Sequence, residues 1–254
     1  MAINIDQKKF RSERAHDLKN LADLIEKVGI TGYPLREAAN QLNDFTRTRK
    51  VDKNDAVDYS YWGYQVDSLE IPFYMPPRHI RPSNLNPLSL VLSIDMIASC
   101  DSWGNLVDPL KKLEFNIEIK GDGPNDMKHQ ICYHIDRHID SVSNEPHPMY
   151  HLHFGGNRMN FDNMDIGQTI FFDAPRVMFY PIEVVLGIDF VLSNFFPTYW
   201  NQLQQESVYI SLVKDYYDAL VKPFAHTLAS KWTAYNPSSI DWHPGLVFPQ
   251  LANV

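Results

Sequence analysis

The chain has 254 residues and a formal net charge of −8, an acidic balance that does not support a nucleic-acid partner and disfavours broad binding driven by phosphate neutralisation, though not a local basic strip. Hydrophobic residues make up 44% and charged residues 21%, which places it with ordinary globular chains rather than disordered or fibrous ones. No run of about 18 apolar residues exists, so a membrane-spanning helix and a membrane partner are not expected.

The start, MAINIDQKKFRSER, lacks an apolar signal core, and the two cysteines, Cys100 and Cys132, are too few for a disulfide framework. Together they predict a reducing, cytoplasmic setting. Asp6 is the expected cap of a helix that runs to about Val28. Its buried stripe is Leu18, Leu21, Leu24, Ile25 and Val28, and Gly29 ends it. Pro34 sits at a first helical position, with Leu35, Ala38, Ala39, Leu42 and Phe45 as the second stripe. The basic cluster Arg47, Arg49, Lys50 and Lys53 follows. It reads as a solvated helix end, where positive charge is favourable; it could instead meet phosphate or an acidic partner.

Tyr59 to Tyr64, YSYWGY, reads as an edge strand packed on the core. The proline-rich Pro72 to Pro87 reads as an extended loop. The aromatic and proline-rich stretch from Tyr59 to Pro87 is also the first candidate for a partner contact, because aromatics dominate interface hot spots. Four alternating runs then follow. Leu88, Leu90, Leu92, Ile94 and Met96 alternate with Ser89, Val91, Ser93, Asp95 and Ile97. Leu113, Phe115, Ile117 and Ile119 alternate with Glu114, Asn116, Glu118 and Lys120. Ile131, Tyr133, Ile135 and Ile139 alternate with Cys132, His134, Asp136 and His138. Tyr150, Leu152 and Phe154 alternate with His151 and His153. Period two puts one apolar and one polar face on each run, the pattern of an antiparallel sheet packed on one side and open on the other.

If the strands neighbour one another in order, the open face collects Asp95, Glu114, Glu118, His134, Asp136, His138, His151 and His153. The stretch Met127 to Gly156 alone holds six of the ten histidines. A solvated polar face is the bland explanation. The sharper one is an acid–base or metal site. Imidazole and carboxylate suit divalent zinc, manganese or iron, and His-x-His on a strand aims both rings the same way. The candidates are His134, Asp136, His138 and Glu118 for catalysis and His151 and His153 for a possible divalent metal; no other cofactor is indicated. Asp95 with Glu118-Ile-Lys120 also resembles the D…ExK arrangement of PD-(D/E)xK nucleases, in which the acids bind magnesium. No HExxH, paired CxxC, P-loop or GxSxG is present.

Beyond the sheet, Arg158 to Gly167 is a polar loop and Thr169 to Phe172 a possible fifth strand. Pro181 opens a helix through Phe196 that is apolar on nearly every side. Asp189 within it must be paired, for example with an arginine, or protonated. Pro197 starts another helical segment, with a bend near Pro223. The tail from Asn236 is irregular.

The segment DAPRVMFYPIEVVLGIDFVLSNFFPTYW, taken with HPMYHLHFGG, resembles an uncharacterised bacterial family often encoded beside phage-defence or mobile-element genes. That resemblance covers roughly residues 110 to 235 and implies an antiviral-defence component acting through a protein partner. The order YHIDRH…HPMYHLH is loosely similar to the His-rich strands of TumE-type toxins, with different spacing and without their downstream His-Lys-His. Neither resemblance supplies catalytic residues.

The expected fold is α+β in one domain over 1–254. A helical hairpin (1–50) leads into a four- to five-stranded antiparallel sheet (56–173), with C-terminal helices (181–235) on its apolar face. Two functions are expected: a defence-type component working through a protein partner or as a homo-oligomer, or a metal- or histidine-dependent hydrolase, nuclease-like, acting on phosphodiesters.

Overall fold

The computed structural model describes residues 4–230 apart from 53, 76–79, 81, 106, 125–126, 139–147 and 156–175. It is an α+β structure with helices at both ends of the chain and a sheet between them.

Helix α1 spans Ile5–Lys27 and α2 spans Tyr33–Asn43. Asn4, rather than Asp6, caps α1. Its side chain accepts from the Gln7 amide at 2.8 Å, and the Gln7 side chain accepts from the Asn4 amide at 3.1 Å. This reciprocal box satisfies two otherwise orphaned donors, and Asp6 adds favourable negative charge in the first turn. Gly29 follows the helix at φ +83°, the left-handed conformation that a residue with a Cβ resists. The end of α2 is closed by Arg11 from α1. Its buried guanidinium donates to the carbonyls of Leu42 at 3.0 Å, Gln41 at 3.3 Å and Asp44 at 2.8 Å. These are the carbonyls a helix C-terminus leaves unpaired, and a cation there also meets the negative end of the dipole.

Among the described residues the sheet has six strands in sequence order, every pair antiparallel. They are β1 (Tyr61–Pro72), β2 (Leu88–Ser99), β3 (Leu110–Asp122), β4 (Lys128–Arg137), β5 (Tyr150–Phe154) and β6 (Val177–Met178). The count exceeds the expected four to five because β1 is a full strand and Val177–Met178 adds a short one. The expected strand Thr169–Phe172, the polar loop and the tail from Asn236 lie outside the described residues. Strand β1 forms one edge, and α2 covers it. The Gln41 side chain accepts from the Gln65 amide and donates to its carbonyl, both at 2.9 Å. An amide side chain thus occupies backbone groups that an edge would otherwise offer to another chain. Trp62 and Tyr64 belong to the core, while Tyr59 and Tyr61 are half-buried. Tyr74 and Met75, farther along, are exposed.

One apolar row runs Val66, Ile94, Phe115, Ile135, Leu152 across five strands. Helices α3 (Val184–Phe195), α4 (Pro197–Leu203), α5 (Ser207–Tyr216) and α6 (Lys222–Ala229) belong to the same hydrophobic cluster as that face and the N-terminal hairpin. Helix α3 approaches so closely at Gly187 that a Cβ there would lie 2.3 Å from the Phe115 ring. Its cap is Glu183, so the helix starts later than Pro181. Asp189 is paired as expected, but by Trp200 Nε1 at 2.8 Å and Tyr209 Oη at 2.9 Å rather than by an arginine. Burial raises its pKa. Just before Pro223, where a bend is expected, a π-helical turn, Tyr217–Val221, lies between α5 and α6. Proline has no amide to donate to the preceding turn and its ring crowds the carbonyl four residues back, which a widened turn relieves.

Candidate metal centre

The register builds the polar face row by row. Gln65, Asp95, Glu114, Asp136 and His151 lie directly across from one another in one row. Ser93, Asn116, His134 and His153 form the next. Side chains at directly opposed positions share a face with Cβ atoms about 4.5–5.5 Å apart, so His134, Asp136, His151 and His153 converge where β4 meets β5.

Three of them form a donor set. One ligand atom each from His134, Asp136 and His151 lies within 4.8 Å of the others, a group that could hold a metal ion. Asp136 Oδ1 is 3.3 Å from His151 Nε2 and 3.7 Å from His134 Nε2. That oxygen is buried and accepts no hydrogen bond. The His151 ring is held from behind. Its Nδ1 lies 3.2 Å from the Pro148 carbonyl, which can only accept, so Nδ1 carries a proton and donates it. Burial lowers the His151 pKa and so favours the neutral ring, against the opposing pull of Asp136. Nε2 then presents a lone pair toward a carboxylate oxygen. A ring nitrogen bonded to a backbone carbonyl while the other faces a donor cluster is the usual support of a metal-binding histidine.

His153 lies beside this set rather than in it. Its Nδ1 is 3.1 Å from His134 Nε2, and its Nε2 is buried without a hydrogen-bond partner. The expectation of an open face does not hold here: His151 is 2% exposed and His153 5%. Met178 of β6 lies directly across from His151, giving β5 a neighbour on its outer side.

The other candidates separate. Glu118 sits opposite Cys132, outside both histidine rows, and pairs with Lys120 at 2.5 Å. Asp95 faces Glu114, four residues along β3 from Glu118 and so about 13 Å away at strand rise. The D…ExK arrangement is therefore not assembled. Asp95 is instead taken by Arg49, by Lys112 at 2.9 Å and by Gln65 at 2.9 Å. Arg49 thus serves the sheet rather than the helix end. His138 follows β4, its backbone N–H donating a hydrogen bond to the Met149 carbonyl at 2.8 Å, and is not part of the three-residue set. Neither cysteine forms a disulfide, and burial pushes the Cys100 thiol up to about 12, so it is not a ready nucleophile.

Asn116 and Glu183 are buried and stand outside the earlier candidates. Asn116 is buried beside His134, on the parity that identified the other residues. Glu183 is buried at the start of α3, accepting from the amides of Val185 at 2.6 Å and Leu186 at 3.0 Å and from Tyr64 Oη at 2.7 Å. Burial pushes its pKa up to about 7. Its signal was a lone acid directly before an apolar helix, a capping position.

Among the described residues no helix is long and apolar enough to cross a membrane. Comparison with protein-family models, curated proteins and solved structures gives no match.

Proposed function

We propose that the chain is a divalent-metal protein, with His134, Asp136 and His151 as the ligands, and that it carries out metal-assisted hydrolysis. One observation carries this reading. The Nε2 lone pair of His151, fixed by the Pro148 carbonyl, faces a buried Asp136 oxygen at 3.3 Å with no hydrogen bond between them. Two electron-rich atoms so placed repel, and a cation between them removes the conflict. Two histidines and one carboxylate suit zinc or ferrous iron and leave coordination positions free for a substrate. A divalent ion there would polarise a bound ester and acidify a water. The chain's own contribution is to fix the donors on paired strands, with His151 and the Asp136 Oδ1 atom buried. Phosphodiesters are the first substrate class to test.

Elemental analysis and zinc titration test the metal. Wild type is expected to bind one equivalent. His151→Ala and Asp136→Ala should weaken binding at least about 100-fold, while His138→Ala keeps it. Turnover of bis(p-nitrophenyl) phosphate by the loaded protein, lost in Asp136→Asn, tests the hydrolysis. A protein that takes up none of zinc, iron and manganese overturns the reading.

A second reading, a component of a defence-type system acting through a protein partner, is favoured by the exposed Phe154, Val177 and Met178 on the last two strands. Light scattering of wild type and Met178→Asp, alone and with candidate partners, tests it. A monomer that engages none of them removes it.

A further inference from the structure

We propose that His153 is a built-in competitor for the ion, holding the ligand atom of His134 in a hydrogen bond that metal binding must break. The inference rests on the metal reading above and concerns how that site is gated. His134 Nε2 is the atom that faces Asp136 at 3.7 Å, and it is also the atom that meets His153 Nδ1 at 3.1 Å. A ring nitrogen has one lone pair or one proton in its plane, so it serves one partner at a time. Either tautomer of the pair leads to the same result. If His153 donates, an ion on His134 displaces that proton's acceptor. If His134 donates, the ion requires the proton to leave Nε2 altogether.

His153 does not act as a fourth ligand in this arrangement. The rings meet edge to face, with an interplanar angle of 78° and centroids 4.6 Å apart. A hydrogen bond points the in-plane direction of one nitrogen at the other nitrogen. Two ligands of one ion instead direct both lone pairs at a common third point. His153 is also poorly placed to find a substitute partner. It is 5% exposed, and its other nitrogen, Nε2, already lacks a hydrogen-bond partner among the described residues. Releasing Nδ1 therefore leaves a second buried polar atom unsatisfied, and that cost weakens the observed metal affinity.

The consequence is selectivity by bond strength. Ions that bind imidazole strongly, such as zinc, displace the latch. Magnesium and calcium prefer oxygen donors and do not. The chemical class admitted is a nitrogen-preferring divalent transition metal.

The test compares wild type and His153→Phe by zinc titration against a competing chelator. Phenylalanine keeps the ring and removes both nitrogens. The expected result is about tenfold tighter zinc binding in the variant, the factor that 1.4 kcal/mol represents. Weaker binding in the variant would make His153 a ligand and overturn the proposal, and equal binding would overturn it too. Zinc binding by neither protein would overturn the metal reading and this inference together. Binding by wild type with the wrong ratio overturns this inference alone. If His153→Phe does not fold, ring nitrogen NMR of the wild type decides. The coupling between His153 Nδ1 and His134 Nε2 should be present without metal and vanish with zinc. Its persistence in zinc-loaded protein would refute the latch.

Discussion

Asp95 and Asp136 occupy one cross-strand row, two strands apart, and their surroundings are opposite. Burial alone would push the Asp95 carboxyl up, but Lys112, Arg49 and Gln65 together hold it below the usual carboxylate range. Its charge is matched within the fold. Asp136 Oδ1 has two ring nitrogens as its near neighbours and no donor. Its charge is not matched by a hydrogen bond there. The pair teaches how to separate a structural carboxylate from a candidate ligand: not by exposure or by the face it occupies, but by whether its neighbours bring protons or lone pairs.

The largest expected effect breaks the comparison outright if it fails. An ion that binds only the folded state stabilises it by about 2.7 kcal/mol at one hundred times its Kd. Zinc should therefore raise the melting temperature of wild type and of Asp95→Asn alike and leave Asp136→Ala unchanged. Melts of the three proteins with zinc and with chelator check this. If zinc protected Asp136→Ala as well as wild type, the ion would be binding somewhere else.

Without metal, the two sites should respond with opposite signs. Asp95→Asn removes the charge that Arg49 and Lys112 share, and the Arg49 side chain is only 13% exposed. A loss of about 1–2 kcal/mol is expected, as for a charged hydrogen-bond partner removed at a half-buried position. Asp136→Asn replaces an undonated oxygen with an amide that can donate to His151 Nε2. A gain of about 0.5–1 kcal/mol is expected. Denaturant melts of chelated protein measure both. The Asp95 contribution also has a pH signature. Its folded pKa is depressed, so its stabilisation is present above the unfolded value, about 3.9, and is lost as pH falls through the folded value. The acid limb of the wild-type stability curve should be steeper than that of Asp95→Asn.

Much of this arrangement was legible before the fold was known. Alternation assigns faces one strand at a time, and strands paired in sequence order then bring His134, Asp136 and His151 together. What alternation does not specify is register. Glu118 shares the parity of the site and misses it because the β3–β4 pairing sets it opposite Cys132, along the strand from the histidines. Long-range partners were equally hidden. Nothing local to Asp189 names Trp200 or Tyr209, and nothing near Arg49 points to Asp95 across 46 residues. Burial was misjudged for a related reason. A polar strand face looks solvated in isolation, whereas His151 and His153 are enclosed once the fold surrounds them.

The smallest expected effect belongs to Glu118, and its smallness sharpens the comparison. Glu118 is a third carboxylate on the polar face, and like Asp95 it has a cation, Lys120, at 2.5 Å. Glu118 itself is 12% exposed, but that lysine is 47% exposed, so water competes for it as in a surface ion pair. Such pairs contribute from nothing to about 1 kcal/mol. Glu118→Ala should therefore shift stability by less than about 1 kcal/mol, less than Asp95→Asn, because Lys120 rehydrates when its partner is removed and Arg49 cannot. Zinc affinity should stay within about twofold of wild type, since a substitution this far from the donors couples weakly to them. The same titration and melt used for Asp136→Ala measure both quantities. A tenfold loss of zinc affinity in Glu118→Ala would place Glu118 in the site despite its register, and the proton-or-lone-pair rule drawn from Asp95 and Asp136 would fail at its third case.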